Sequence, residues 1–101
     1  MREISNKHLL LIDIPKSDAD WSEIAAFALT FNGYEACGSF DKCAEIANAK
    51  RHESLTDMRA CLFFEQRRWR HFGESPDGET MAYLRKLLES IRAKVSAGDV
   101  V

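Results

Sequence analysis

A helix stop followed at once by a helix start, within residues 73–77, most constrains how this chain can fold. Gly73 is typical of the left-handed residue that ends a helix. Ser75-Pro76-Asp77 then supplies an N-cap at Ser75, a proline at the first helical position and a negative charge near the positive end of the helix dipole. Because so short a turn separates the two flanking helices, we expect them to form an antiparallel αα-hairpin.

Apolar periodicity defines both helices of this hairpin. The last helix is predicted to run to about Val95, because its apolar residues recur at helical spacing: Met81, Leu84, Leu88, Ile91 and Val95, with Leu87 broadening the face. The preceding helix is predicted to begin near Ser54 and to end at Phe72. Its apolar stripe consists of Leu55, Met58, Leu62, Trp69 and Phe72, and the polar pair Glu65-Gln66 interrupts it.

Two shorter helices are predicted in the first half of the chain. Asp20-Trp21-Ser22-Glu23 has the form of a capping box, and Asn32-Gly33 is expected to end the helix that follows. After a loop from Tyr34 to Gly38, Ser39 is expected to cap a helix of about ten residues. The inner face of this helix is predicted to carry Phe40, Cys43, Ala44 and Ala47.

The predicted fold class is therefore all-α, a four-helix domain of orthogonal or bundle-like packing that ends in the αα-hairpin. A chain of 101 residues has the size of one domain, so residues 1–101 are expected to form a single unit. Residues 1–16 are predicted to be an extended arm, and residues 96–101 a frayed tail. The apolar run Leu9 to Ile12 in the arm has no strand partner elsewhere in the chain, which favours a homodimer.

The net charge of −2 conceals an uneven distribution. Residues 1–49 hold 4 basic and 8 acidic side chains, a net charge of −4, and residues 72–101 hold 4 and 5, a net charge of −1. Residues 50–71 hold 6 basic and 3 acidic side chains, a net charge of +3. The basic excess is thus concentrated in and just before the third predicted helix.

One face of the third helix has the composition of a recognition surface. At 100° per residue, the residues next to its apolar stripe are Arg59, Phe63, Gln66, Arg67 and Arg70. A neighbouring face carries Phe64, Arg68 and His71. Guanidinium groups pair with carboxylates or phosphates and stack on aromatic rings, so these residues are the candidate binding surface.

Two interpretations of this surface remain open. The arginines can lie over the edge of the core and pair with acids of neighbouring helices, which the acidic first half of the chain supplies. Glu65 in turn needs a cation beside it, and Arg68 and Arg85 are its possible partners. Otherwise they face a partner, which we expect to be an acidic protein surface or a second copy of the chain. Nucleic acid, bound through phosphate contacts and base stacking, is the alternative partner, and the net negative charge argues against it.

The sequence indicates no catalytic residue, cofactor or small-molecule ligand. It has no Gly-rich phosphate loop and no Gly-x-Ser-x-Gly elbow. A helix-turn-helix over residues 20–50 is rejected, because the gap between its helices is too long and the shorter helix carries acids. The residues that could bind a metal lack ligand spacing, so no metal site is predicted; they are His8, Cys37, Cys43, His52, Cys61 and His71.

The cysteines and the N-terminus indicate the expected compartment. Three cysteines, at positions 37, 43 and 61, do not fit a fully paired disulfide framework, and we expect them to be reduced thiols in the core. No apolar run is long enough for a signal peptide or a membrane span. The expected location is the cytoplasm, without membrane contact.

Overall fold

The computed structural model of the chain describes residues 14–30 and 38–98. These residues form four helices and no strand: α1 (Trp21–Ala28), α2 (Phe40–Asn48), α3 (Leu55–Phe72) and α4 (Gly78–Ser96). Helix α3 packs against each of the other three. The prediction of an all-α fold is confirmed, and the antiparallel orientation of α3 and α4 stays a prediction.

The apolar repeat of α4 supplies the centre of the core. Leu84, Leu88, Ile91 and Val95 have no exposed surface, and Leu87 is almost fully buried beside them. Met81, the first residue of the repeat, is only partly buried and packs against the edge of the core. A helix with one such face gains most of its stability from packing that face against its neighbours.

Three helix starts are capped as the sequence predicts. The side chains of Asp20 and Ser39 accept hydrogen bonds from the backbone N–H groups three residues later, over 3.0 and 3.2 Å. Ser54 and Asp57 form a reciprocal capping box at the start of α3. Gly73, with φ +69°, ends α3 in the left-handed conformation expected of it.

Helix α1 is shorter than the sequence suggests. It ends at Ala28, whereas Asn32-Gly33 was expected to end it. The backbone N–H and the hydroxyl of Thr30 both donate to the carbonyl of Phe27, over 2.9 and 2.7 Å, and so satisfy an end carbonyl of this helix. Residues 31–37, which include most of the predicted loop, lie outside the described residues.

The segment before α1 is attached to α4. Ile14 and Ala19 are buried in the core. Arg92 Nη1 donates to the carbonyl of Ile14 over 3.0 Å, and Arg85 donates to the carbonyl of Ala19 over 3.3 Å. The rest of the predicted N-terminal arm, residues 1–13, lies outside the described residues, so the dimer inferred from it stays a prediction.

The predicted cap of α4 is wrong by two residues. Asp77, not Ser75, is the N-cap, and its Oδ1 accepts a hydrogen bond from the backbone N–H of Thr80 over 2.8 Å. Since α4 begins at Gly78, Pro76 lies before the helix instead of at its first position, and it is buried there. The bonds from Thr80 hold the pKa of the Asp77 carboxyl below its ordinary value of 3.8.

We expect Asp77→Ala to lower the midpoint of thermal unfolding by a few degrees, because the first turn of α4 loses its cap. Ser75→Ala, the matched control, should leave the midpoint unchanged. The difference should be full above pH 3.8 and should vanish as the pH falls through the lowered pKa of Asp77, since the protonated carboxyl is a poorer acceptor. Equal effects of the two variants in calorimetry would contradict this assignment.

Candidate functional site

The five residues predicted as a binding surface lie in two different environments. Arg59, Phe63 and Gln66 are buried, whereas Arg67 and Arg70 are exposed. The buried residues of α3 all lie between Leu55 and Gln66. The last turns of α3 therefore carry the part of the predicted surface that a partner can reach.

An open groove of about 780 Å³, which we call the α2–α3 groove, lies beside these exposed arginines. Its basic lining consists of three arginines and a histidine of α3: Arg67, Arg68, Arg70 and His71. Its aromatic lining consists of Phe40 from α2 and Phe64 and Phe72 from α3. No acidic side chain of the described residues lines it.

The aromatic lining joins the two helices. The rings of Phe40 and Phe64 lie 5.9 Å apart at their centroids and are tilted by 35°. Phe40 is 37% exposed, so the prediction that it faces inward is wrong. Phe72, predicted in the apolar stripe, is 57% exposed, with its ring edge-on to Trp69 and His71. Apolar side chains so exposed mark a surface that another molecule can cover.

The arginines of the groove differ in their partners. Arg68 lies 3.8 Å from Glu65, as the sequence predicts, while Arg85 donates to a backbone carbonyl instead of to Glu65. The Arg67 guanidinium lies over the ring of Phe63, 5.7 Å from its centroid. Within residues 14–30 and 38–98, no acidic side chain is within ion-pair distance of Arg67 or Arg70. Internal pairing therefore accounts for only part of the basic surface.

Helix α3 also stabilises some of this positive charge. Arg70 and His71 occupy its last turn, where the negative end of the helix dipole favours cations. The Glu65 carboxylate is fixed from a second direction, because Trp69 Nε1 donates to it over 2.9 Å. Arg68 thus pairs with a carboxylate that Trp69 also binds, whereas Arg67 and Arg70 have no carboxylate partner among the described residues.

A second group of polar side chains surrounds Cys61, which is free and fully buried. Its Sγ lies 3.6 Å from the carbonyl of Arg51, to which the thiol donates. The hydroxyl of Tyr83, which interacts electrostatically with Cys61, is 2.9 Å from Nε2 of His52. Burial raises the pKa of the Cys61 thiol above its ordinary value. Burial also raises the pKa of Tyr83. The neutral thiol is a poor nucleophile, as its apolar stretch of sequence predicts.

Among the described residues, the expectation of reduced thiols is confirmed at Cys61 and wrong at Cys43. Cys43 is fully buried in α2 and is disulfide-bonded. The number of cysteines did not reveal this bond, because an odd number does not fit a framework in which every cysteine is paired. Disulfides persist mainly in oxidising compartments, so the cytoplasmic location stays a prediction.

The part of the chain that the structure describes has no cluster of metal ligands and no membrane-spanning helix. That part contains no group of three side chains able to hold a metal ion. None of its helices is both long and apolar enough to cross a bilayer.

Comparison with known proteins does not assign the chain to a family. No protein-family model matches it, and neither the curated proteins nor the solved structures include a match. The chemistry of its own surface is therefore the basis for a functional proposal.

Proposed function

We propose that this protein is a non-enzymatic binding module whose α2–α3 groove holds an acidic segment of a partner protein. The observation that carries the proposal is the combination of three arginines with three phenylalanines in one groove whose described lining contains no acid. Arg67 and Arg70 have no carboxylate among the described residues to neutralise them.

The chemistry of the groove defines the partner segment. A guanidinium forms paired hydrogen bonds with a carboxylate, so each free arginine suits one Asp or Glu side chain. Phe40, Phe64 and Phe72 offer apolar rings between and beside those charges. A segment in which acidic and apolar residues alternate would satisfy both, with its apolar side chains on the rings and its carboxylates on the arginines.

The surroundings of the groove favour a protein over a nucleic acid. Asp41 and Glu45 are exposed on α2, the helix that contributes Phe40. Repeated phosphates of a nucleic acid laid along the groove would approach these carboxylates, whereas a short acidic segment can end before them. A second copy of the chain is a special case of the same partner, because its residues 1–49 carry a net charge of −4.

The test measures binding of a fluorescein-labelled peptide that alternates glutamate with leucine and phenylalanine. We expect fluorescence anisotropy to show saturable binding to the full chain. The double variant Arg67→Glu/Arg70→Glu should weaken it by at least about tenfold, because both unneutralised cations become repulsive. The matched control Lys16→Glu/Lys86→Glu makes the same change of net charge at two exposed lysines outside the groove and should bind as the parent does.

Three outcomes would contradict the proposal. The first is no binding of the acidic peptide, and the second is equal weakening by both double variants, which would show a non-specific charge effect. The third is tighter binding of labelled single-stranded DNA than of the peptide at physiological salt, which would favour the nucleic-acid alternative.

A further inference from the structure

A second groove, which we call the α1–α3 groove, lies where the start of α1 meets the end of α3. Its volume is about 410 Å³, within the range of about 300–1,000 Å³ that is usual for sites of small molecules. Trp21 of α1 and Trp69 of α3 both line it, and they are the only two tryptophans of the chain. Both side chains are partly buried, and indole rings add a large apolar surface to the groove lining.

Gln66 lines the same groove and has an unusual environment. Its side chain is 4% exposed, and its Oε1 is buried without a hydrogen-bond partner among the described residues. A buried amide oxygen without a donor destabilises a fold, because it has lost its hydrogen bonds to water and forms none within the protein. A ligand with a donor group in this groove would supply the missing hydrogen bond.

Two opposite charges complete the groove. Arg70 lies one helical turn beyond Gln66, and Glu74 follows the end of α3. The backbone N–H of Glu74 donates to the carbonyl of Trp69 over 3.3 Å, which holds the backbone of Glu74 beside the groove. Although both side chains are exposed there, Arg70 and Glu74 do not form an ion pair with each other.

We propose that the α1–α3 groove binds a free α-amino acid with an aromatic or large apolar side chain. The ammonium group supplies donors to Gln66 Oε1 and to the carboxylate of Glu74. The ligand's carboxylate pairs with the guanidinium of Arg70. Its side chain lies against the indole rings of Trp21 and Trp69.

This proposal does not rest on the proposed function, although the two grooves share Arg70. Gln66 and Trp21 line the α1–α3 groove and are not part of the α2–α3 groove. Arg67 lines the α2–α3 groove and is not part of the α1–α3 groove. Variants at Gln66 and Arg67 therefore separate the two sites.

The probe is L-phenylalanine, and the readout is the fluorescence of Trp21 and Trp69 excited where phenylalanine does not absorb. We expect a saturable change through the millimolar range with the full chain. N-acetyl-phenylalanine amide, which has the same side chain but neither charge, should produce no saturable change. Arg67→Ala should bind L-phenylalanine as the parent does, because Arg67 does not line this groove.

The decisive variant is Gln66→Met, which keeps the length of the side chain and removes its acceptor. We expect it to weaken L-phenylalanine binding by at least tenfold and to raise the midpoint of thermal unfolding, because the unpaired oxygen is gone. Absence of a fluorescence change in the parent protein would overturn the proposal. Equal binding of the capped analogue to the parent would overturn it as well, and that measurement does not depend on how the variant folds.

Discussion

Replacing Leu88 with alanine should lower the free energy of unfolding by about 2–5 kcal/mol. Leu88 has no exposed surface and lies between Leu84 and Ile91 in the repeat of α4, which are equally buried. Loss of its branched side chain removes apolar contacts and leaves a cavity that the helices can close only in part. Because a domain of this size is stable by only about 5–15 kcal/mol, this change is expected to move the midpoint of urea denaturation to a clearly lower concentration.

Urea denaturation followed by far-ultraviolet circular dichroism measures this change. Leu29→Ala is the matched control, because Leu29 is 54% exposed at the end of α1. The same truncation there should change stability by less than about 0.5 kcal/mol. Similar losses in the two variants would show that α4 does not supply the centre of the core.

The second large effect is expected in the chemistry of Cys61. In the native protein this thiol should react with iodoacetamide at least about 100-fold more slowly than in urea, the factor that an opening free energy of roughly 3 kcal/mol produces. The reasons are its complete burial and its raised pKa, which keep it protonated and out of reach. Peptide mapping by mass spectrometry follows Cys61 separately from the other cysteines.

The same burial makes stability depend on alkaline pH. The folded pKa of Cys61 lies above its ordinary value of 9.0, and that of Tyr83 lies above 10.0. The two protonated groups therefore contribute their full share to the free energy of unfolding below pH 9. This contribution is lost as the pH rises through the raised pKa values, because the unfolded chain releases these protons first. Tyr83→Phe should reduce this loss of stability at alkaline pH. Rapid alkylation of Cys61 in the native protein at neutral pH would contradict its assignment as a buried, protonated thiol.

Much of the fold could be predicted because its signals are local. The caps at Asp20, Ser39 and Ser54 and the stop at Gly73 each depend on a few neighbouring residues, and all four are confirmed. The repeat of α4 was equally readable, because one face of that helix is buried and the opposite face is not. The predicted cap of α4 is wrong because Ser75 and Asp77 are both good N-cap residues and Pro76 can begin a helix or precede it.

The candidate surface was harder to predict, because helical periodicity gives the direction of a side chain but not what lies there. Residues 58–63 of α3 are all buried, so both the predicted stripe and the predicted arginine face are enclosed in this stretch. The available signal is the pair Ala60 and Cys61, since Ala and Cys are among the residue types most often fully buried. The exposure of Phe40 and the lack of a partner for Gln66 Oε1 depend on tertiary packing, which no local pattern records.

The two arginine contacts of α4 also bear on how the chain acquires its structure during synthesis. Arg85 and Arg92 hold backbone carbonyls of residues that precede them by 66 and 78 positions. Contacts this distant in sequence close large loops, so they form late and only after the intervening chain is available. The segment before α1 therefore leaves the ribosome well before its anchors exist, and its docking has to await the release of the final helix.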